Sequence, residues 1–325
     1  MIHGGAGAWR DEMLRSKAIG VVKACVEKGW EMLDEKGSLD AVVESVKCME
    51  DSGYLNAGYG SVLDLLGGRS LDAGLMTSTG LIGAVASVKA TRNPILLAKI
   101  VAEKTPHIII TGEYADLLAI LNGLPPLPPP PPHVLERYRQ MAKKLLEGGE
   151  DLGDYYKSLR SLVEKMGIYK TLLKGIVEVY DTVGAVAIDD NDILSAATST
   201  GGVVLKLPGR VGDTPIPGAG FYASDLLACS STGIGEYIIR TMPCMRLDMV
   251  YRNVGHIERA LGMVMEYIDN IVGKGSMGLI GIDRHGNAFY AYNTEAMLIS
   301  YIGDHGDIVI EYKPEPGMRV WKIAK

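Results

Sequence analysis

Tyr180-Asp181-Thr182-Val183-Gly184-Ala185-Val186 is the stretch on which the reading of this chain turns. A charged, proline-containing segment lies before it and an apolar strand after it, so a boundary falls between Asp181 and Thr182. A cut at that boundary gives Thr182 a free α-amine beside its own hydroxyl. Such an amine titrates near ~7.7–8.0 and can take the hydroxyl proton at neutral pH, where an ordinary lysine stays protonated. That is one way to activate a weak oxygen nucleophile. Taken alone, the stretch equally describes a β-branched residue opening a strand.

The flanking sequence adds chemistry. Val183–Ile188 and Ile193–Thr200 read as strands joined by the hairpin turn Asp189-Asp190-Asn191-Asp192. The second strand ends in Ala197-Thr198-Ser199-Thr200-Gly201-Gly202, and an antiparallel return carries those hydroxyls back towards Thr182. Next, Leu207-Pro208-Gly209-Arg210-Val211-Gly212-Asp213 sets a guanidinium and a carboxylate three residues apart. The pair suits the carboxylate and ammonium of an amino-acid head group, or equally a local ion pair. Ser231-Thr232-Gly233-Ile234-Gly235-Glu236 lies between an apolar strand and a helix, where glycine amides stabilise an oxyanion or bind a phosphate. A dinucleotide site is poorly supported without the third glycine, and no Gly-x-x-x-x-Gly-Lys loop occurs.

Composition narrows the class. The 325 residues carry 33 Lys+Arg against 39 Asp+Glu, a net charge of −6, which argues against nucleic acid or an anionic membrane as partner. No apolar run approaches the ~18 residues of a membrane span. Met1-Ile2-His3-Gly4-Gly5 has neither the basic nor the apolar region of a signal peptide. Cys25, Cys48, Cys229 and Cys244 are far apart, which predicts neither structural zinc nor disulfides and fits a reducing cytoplasm. Gln140 is the only glutamine, a thermophile-like shortage of labile amides.

Along the chain, periodicity predicts a helix over 10–36, ended by Gly37, and a second from an N-cap at Ser38 to about Met49. Short strands run to about Val88, Asn93-Pro94 opens a helix, and His107–Thr111 reads as a strand. Residues 124–132, LPPLPPPPP, must be extended. Residues 133–180 interleave charges with apolar residues and read as a solvated helical connector interrupted by Gly148-Gly149, so 124–180 reads as an inserted linker outside the core. Helices over about 234–250 and 255–272 and strands over 276–283 and 287–293 complete a mixed α+β pattern.

In combination these blocks resemble the plant-type asparaginase/isoaspartyl peptidase family of threonine-dependent N-terminal nucleophile hydrolases. The likeness runs through His3-Gly4-Gly5-Ala6-Gly7, Asn56-Ala57-Gly58-Tyr59-Gly60, Leu71-Asp72-Ala73, Arg92-Asn93-Pro94, Thr182–Ala187, Thr198–Gly202, Leu207–Asp213 and Thr232–Glu236. It implies one domain, a four-layer αββα sandwich, that cuts itself into an α subunit 1–181 and a β subunit 182–325. By resemblance, Thr182 is the nucleophile, Thr200 its hydrogen-bond partner, and Thr232 with Gly233 the oxyanion hole. Arg210, Asp213 and Gly235 bind the substrate head group, and Asn56 stands near the nucleophile. The implied substrates are L-asparagine and β-aspartyl dipeptides, the implied assembly is a dimer of α/β heterodimers, and no cofactor takes part. Met49–Tyr59 aligns with a loop that wraps a structural sodium through main-chain carbonyls of Met49, Glu50, Ser52, Leu55, Ala57 and Tyr59; here the loop lacks the family's usual proline.

Asp181, where isoaspartyl peptidases commonly have glycine, is closer to glycosylasparaginases, so an amidase acting on substituted asparagine is an alternative; a threonine-dependent endoprotease is another. From a different class comes an uncleaved scaffold presenting 125–132 to a proline-reading domain, with a plain stiff spacer as its simpler counterpart.

Overall fold

The structure is a computed structural model that describes residues 1–7, 9–147, 154–166, 182–303, 306–313 and 315–323. Strand β1 (Ile2–Gly7) is followed by helices α1 (Glu12–Lys36) and α2 (Ser38–Asp51). Asp11 caps α1 by accepting the Met13 and Leu14 amides, and Gly37, at φ 89°, ends it. Ser38 is not the N-cap its sequence position predicts. Gly37 holds that place, and Asp189 Oδ2 accepts from the Ser38 amide (3.0 Å) and hydroxyl (2.9 Å). A distant turn thus satisfies a helix terminus, which local sequence cannot show.

Strands β2 (Leu71–Thr77) and β3 (Ile82–Val88), helix α3 (Pro94–Lys104), strand β4 (Ile109–Thr111) and helix α4 (Gly112–Leu121) come next. The proline run is held in place: the Thr91 hydroxyl and Arg92 amide donate to Pro125 O, Arg69 donates to Pro128 O, and Pro131 is buried. That arrangement favours a stiff spacer over a presented ligand.

The expected helical character appears as α5 (Pro132–Glu147) and α6 (Asp154–Met166), but their burial corrects the assignment of 124–180 to a linker outside the core. Tyr138, Met141, Leu145, Tyr156, Leu159 and Val163 are buried in a core of their own with Val62, Leu63, Leu65, Val203, Val204 and Leu205. Charges at the intervening positions disguise an apolar stripe of helical period. Asp181 and the rest of the stretch 167–181 lie outside the described residues.

Strands β5 (Val183–Ile188) and β6 (Leu194–Thr200) form the antiparallel hairpin read from sequence, with Val183 opposite Ser199. Strands β7 (Phe221–Ala223) and β8 (Leu227–Gly233) follow. The helix expected over 234–250 is divided into α7 (Gly235–Thr241) and α8 (Pro243–Val254), because Met242 is left-handed and Pro243 cannot continue the ladder. Then come α9 (Ile257–Val272), β9 (Met277–Asp283), β10 (Asn287–Tyr292), β11 (Ala296–Ile302), β12 (Ile308–Lys313) and β13 (Gly317–Lys322).

Among the described residues the strands make two sheets, ordered β12-β11-β1-β5-β6-β2-β3-β4 and β13-β10-β9-β8-β7. Ala6, Val186 and Ala196 of the larger sheet meet Phe221, Ile280 and Tyr290 of the smaller in one core. Helices α1 to α3 cover the larger sheet, and α8 and α9 cover the smaller. The result is a mixed α+β fold with two sheets and helices. No helix among the described residues is long and apolar enough to cross a membrane.

The expectation of no disulfides is also overturned. Cys25 on α1 bonds Cys48 on α2, and Cys229 on β8 bonds Cys244 on α8, each at a Cα separation of 5.5 Å. Sequence spacing does not reveal which elements pack side by side. With both pairs bonded, the cysteine argument for a reducing compartment no longer stands.

Candidate active site

Thr182 directly precedes β5, and the β5–β6 register sets Thr200 across from it. Thr182 Oγ1 donates to Thr200 Oγ1 at 3.4 Å, and Thr182 N donates to Thr232 Oγ1 at 3.3 Å. Thr232 belongs to β8 in the other sheet, so the two sheets meet at this point. Its Oγ1 also accepts the Ala6 amide at 3.3 Å, which leaves the hydroxyl proton to be donated elsewhere. Thr182, Thr200, Gly202, Val203, Arg210, Asp213, Gly233 and Gly235 line one small cavity.

Arg210 and Asp213 converge on Gly235. A Cβ placed on that glycine would stand 2.8 Å from both Arg210 Nη2 and Asp213 Oδ1, so a larger residue would displace one of these side chains. Glu236 takes Arg210 in a bidentate pair, at 2.9 Å to Nε and 2.8 Å to Nη2. Nη1 remains on the side of Gly202 and Gly212, and Arg210 lines the cavity. Burial and the Arg210 charge compete at Asp213: desolvation pushes its carboxyl up to about 7, and Arg210 opposes the rise. Asp213 Oδ2 is buried with no hydrogen-bond partner among the described residues. A buried acceptor of this kind beside a guanidinium can chemically receive a ligand carrying both an ammonium and a carboxylate.

Asn56 stands one layer back. Its amide donates to Gly202 O (2.7 Å) and accepts the Val62 amide (3.0 Å), while its own carbonyl accepts the Gly201 amide (3.0 Å). It shapes the turn after β6 and does not itself line the cavity. Three further groups carry no role in the sequence-based assignment. His3 is fully buried on β1, with Nε2 3.0 Å from Ser230 Oγ, and desolvation lowers its pKa to about 3, so the ring is neutral. Gly184 leaves the room that this pair needs. Lys206 is entirely buried behind the loop; it donates to Ser70 O at 2.8 Å, and burial depresses its pKa against the charge of Asp72. Glu236 falls inside the Thr232–Glu236 block, yet only the fold shows which cation it faces.

The 49–60 loop offers oxygen donors. Glycines 58 and 60 permit close packing: a Cβ on Gly58 would lie 2.7 Å from Glu50 O, and one on Gly60 would strike Leu55 O and stand 2.8 Å from Gly53 O. Met49 O accepts Ser52 Oγ (2.7 Å), Ala57 O accepts the Gly60 amide (3.1 Å), and Tyr59 O accepts Arg69 Nη1 (2.9 Å). Each of these three carbonyls already accepts one protein donor, and a main-chain carbonyl has two lone pairs. Beneath the loop, burial raises the Glu50 carboxyl to about 8 despite hydrogen bonds from Ser199, Ile95 and Asn93.

Comparison with known proteins bears on this arrangement. A family model described as Asparaginase matches residues 1–310. The chain is 40% identical over 314 residues to the plant-type L-asparaginase of Pyrobaculum calidifontis, covering 96% of this chain and 98% of that one. It is 39% identical over 305 residues to the plant-type L-asparaginase of Pyrococcus horikoshii, covering 94% and 96%. The isoaspartyl peptidase of Escherichia coli is 38% identical over 314 residues, covering 93% and 92%.

Proposed function

The chain belongs to the Asparaginase family, and from that premise we propose that it is a hydrolase of L-asparagine and β-aspartyl dipeptides with Thr182 as nucleophile. The observation that carries this reading is that the Thr182 hydroxyl meets that of Thr200 while the Thr182 nitrogen meets the Thr232 hydroxyl of the other sheet, in a cavity shared with Arg210 and Asp213. The domain is the αββα sandwich of N-terminal nucleophile hydrolases, made as one chain and divided into 1–181 and 182–325.

In scission, Thr182 Oγ attacks the Asp181 carbonyl carbon, the Asp181–Thr182 C–N bond breaks, and the acyl group passes to oxygen. Water then opens that ester, leaving an Asp181 carboxylate and the Thr182 α-amine. In catalysis the amine takes the Thr182 hydroxyl proton as Oγ attacks the β-carbonyl of the substrate. Thr232 and Gly233 stabilise the oxyanion, and Thr200 orients Oγ. The amine returns the proton to the departing ammonia or amino acid. Water hydrolyses the β-aspartyl ester and releases L-aspartate. Arg210 Nη1 holds the α-carboxylate and Asp213 the α-ammonium, with Gly235 giving both access. Main-chain carbonyls of Met49, Glu50, Ser52, Leu55, Ala57 and Tyr59 would hold a sodium whose role is to stiffen the loop. The mature enzyme is a dimer of the two-fragment unit.

Intact mass of wild-type protein and of Thr182→Ala, incubated alike, tests the reading. Two wild-type fragments that sum to the chain plus one water, an N-terminal Thr182, and ammonia release from L-asparagine are expected, with the variant whole and inactive. A whole, inactive wild type would refute it. Activity confined to glycosylated asparagine would favour the amidase alternative.

A further inference from the structure

Lys206 has no place in the proposed chemistry, yet it lies within its binding loop. The chain turns sharply after Gly202: the Lys206 amide donates to Val203 O at 3.0 Å, and Leu205 takes the left-handed φ of 60° that closes the turn. The lysine side chain comes back against Gly202. A Cβ built on that glycine would stand 3.0 Å from Lys206 Nζ and 3.2 Å from Arg210 Nη1. Two cationic nitrogens of one loop thus flank a single point, and Gly202 lines the cavity with Thr182. The Lys206 ammonium, at 0% exposure, is also underused. Among the described residues its three N–H groups meet one acceptor, Ser70 O at 2.8 Å, and it forms no ion pair. Asp72 is the carboxylate that acts on it most, but Asp72 Oδ1 accepts the Ser87 amide at 2.8 Å. Glu236 spends both of its oxygens on Nε and Nη2 of Arg210. The positive charge left over is at Nζ and Nη1, on either side of Gly202.

We propose that Lys206 is a specificity-determining residue: a second cation behind Gly202 that, together with Arg210, selects substrates bearing an α-carboxylate. The inference rests on the reading of Arg210 as the carboxylate anchor. Like charges held close in a buried wall are costly until an anion arrives, so a carboxylate at Arg210 relieves a repulsion already built into the loop. The ammonium needs no direct contact to do this. Gly202 puts no side chain between it and the cavity, and a field crosses a water-poor wall with little screening. The α-carboxylate keeps its charge throughout the reaction. Lys206 therefore favours bound substrate and transition state alike, which lowers KM and leaves kcat where it was.

The test is calorimetric binding of L-aspartate to the wild type, Lys206→Gln and Lys206→Arg, alongside KM and kcat for L-asparagine and thermal unfolding of all three. Lys206→Gln keeps a donor for Ser70 O and removes the charge. It should weaken Kd and raise KM about 10-fold, the loss of one charge interaction across a buried wall. The turnover number should stay within about 2-fold, since Lys206 touches no reacting atom. Lys206→Arg keeps the charge and should hold Kd and KM within about 3-fold of wild type. An unchanged Kd and KM in folded Lys206→Gln, with an active wild type, overturns the inference alone. A fall in kcat at unchanged KM does so too, as does a folded Lys206→Arg that binds as weakly as Lys206→Gln. If neither variant gives a cooperative unfolding transition, Lys206 is an anchor of the loop and the specificity role falls. A wild type that neither hydrolyses L-asparagine nor binds L-aspartate overturns the function and this inference together.

Discussion

The β5–β6 hairpin and the α5–α6 pair stand on opposite sides of the same boundary, and both end against the same loop. The hairpin is free of ionisable side chains along both strands, and its turn carries Asp189, whose side chain accepts the Asn191 and Ile193 amides at 3.0 Å. Everything that makes it a hairpin is local. The helix pair buries just as definite a stripe, but sets it among lysines, arginines and glutamates and follows a run of prolines. Its apolar residues gain a partner only when 62–65 and 203–205, which come from opposite sides of the boundary in sequence, are brought together. Mean polarity is thus a poor guide to burial where a helix presents one face; the spacing of apolar positions is the better one.

The sharpest way to break the comparison is Tyr156→Ala. Loss of the ring and of its bond to Val204 O should cost about 4 kcal/mol in urea unfolding, measured in the Thr182→Ala background. A cost near zero would return α6 to a solvated connector. On the other side of the boundary, Asp213→Asn should lower kcat/KM about 100-fold, about 3 kcal/mol, by leaving an ammonium unpaired in a buried site. It should not destabilise the fold at pH 8. A carboxyl whose folded pKa is raised to about 7 from 3.8 stabilises the folded state at low pH and loses that contribution as pH rises through 7.

The pH profile sharpens the same point. Asp213 must be ionised to hold an ammonium, so its limb should cut kcat/KM by up to about 10-fold per unit as pH falls below about 7. Protonation of the Thr182 amine acts in the same direction, so Asp213→Asn should remove one limb and leave the other. A profile flat from pH 8 to 5 would exclude both groups. The smallest effect belongs to the solvent side of α5: Lys143, paired with Glu147 at 3.7 Å on an exposed face, should change stability by less than about 0.5 kcal/mol on replacement by alanine.

The grouping of residues round the Thr182 cavity was largely legible because its parts are short contiguous blocks. Arg210 and Asp213 lie within one loop, and Thr200 returns opposite Thr182 through a tight turn, so spacing alone indicates neighbours. The Arg210–Glu236 pair was not legible in this way, since its members are 26 positions apart with two strands between them. Neither was the environment that lifts Asp213 to about 7, which depends on the exclusion of water by side chains from several elements. The cysteines make the same point: Cys25 and Cys48 are 23 residues apart along the chain, and only the packing of α1 on α2 makes them bonded neighbours.

The sequence by itself determined the strand pair, the end of the first helix at Gly37, and the residue types along the loops that follow β6 and β8. These follow from backbone stereochemistry and from periods of a few residues, which any local stretch expresses. Only the tertiary structure decided that Thr232 of one sheet meets Thr182 of the other, that Asp189 caps a helix 151 residues away, and that a charged segment forms a core. Those outcomes depend on which surfaces exclude water together, and that is settled when distant parts of the chain close on one another.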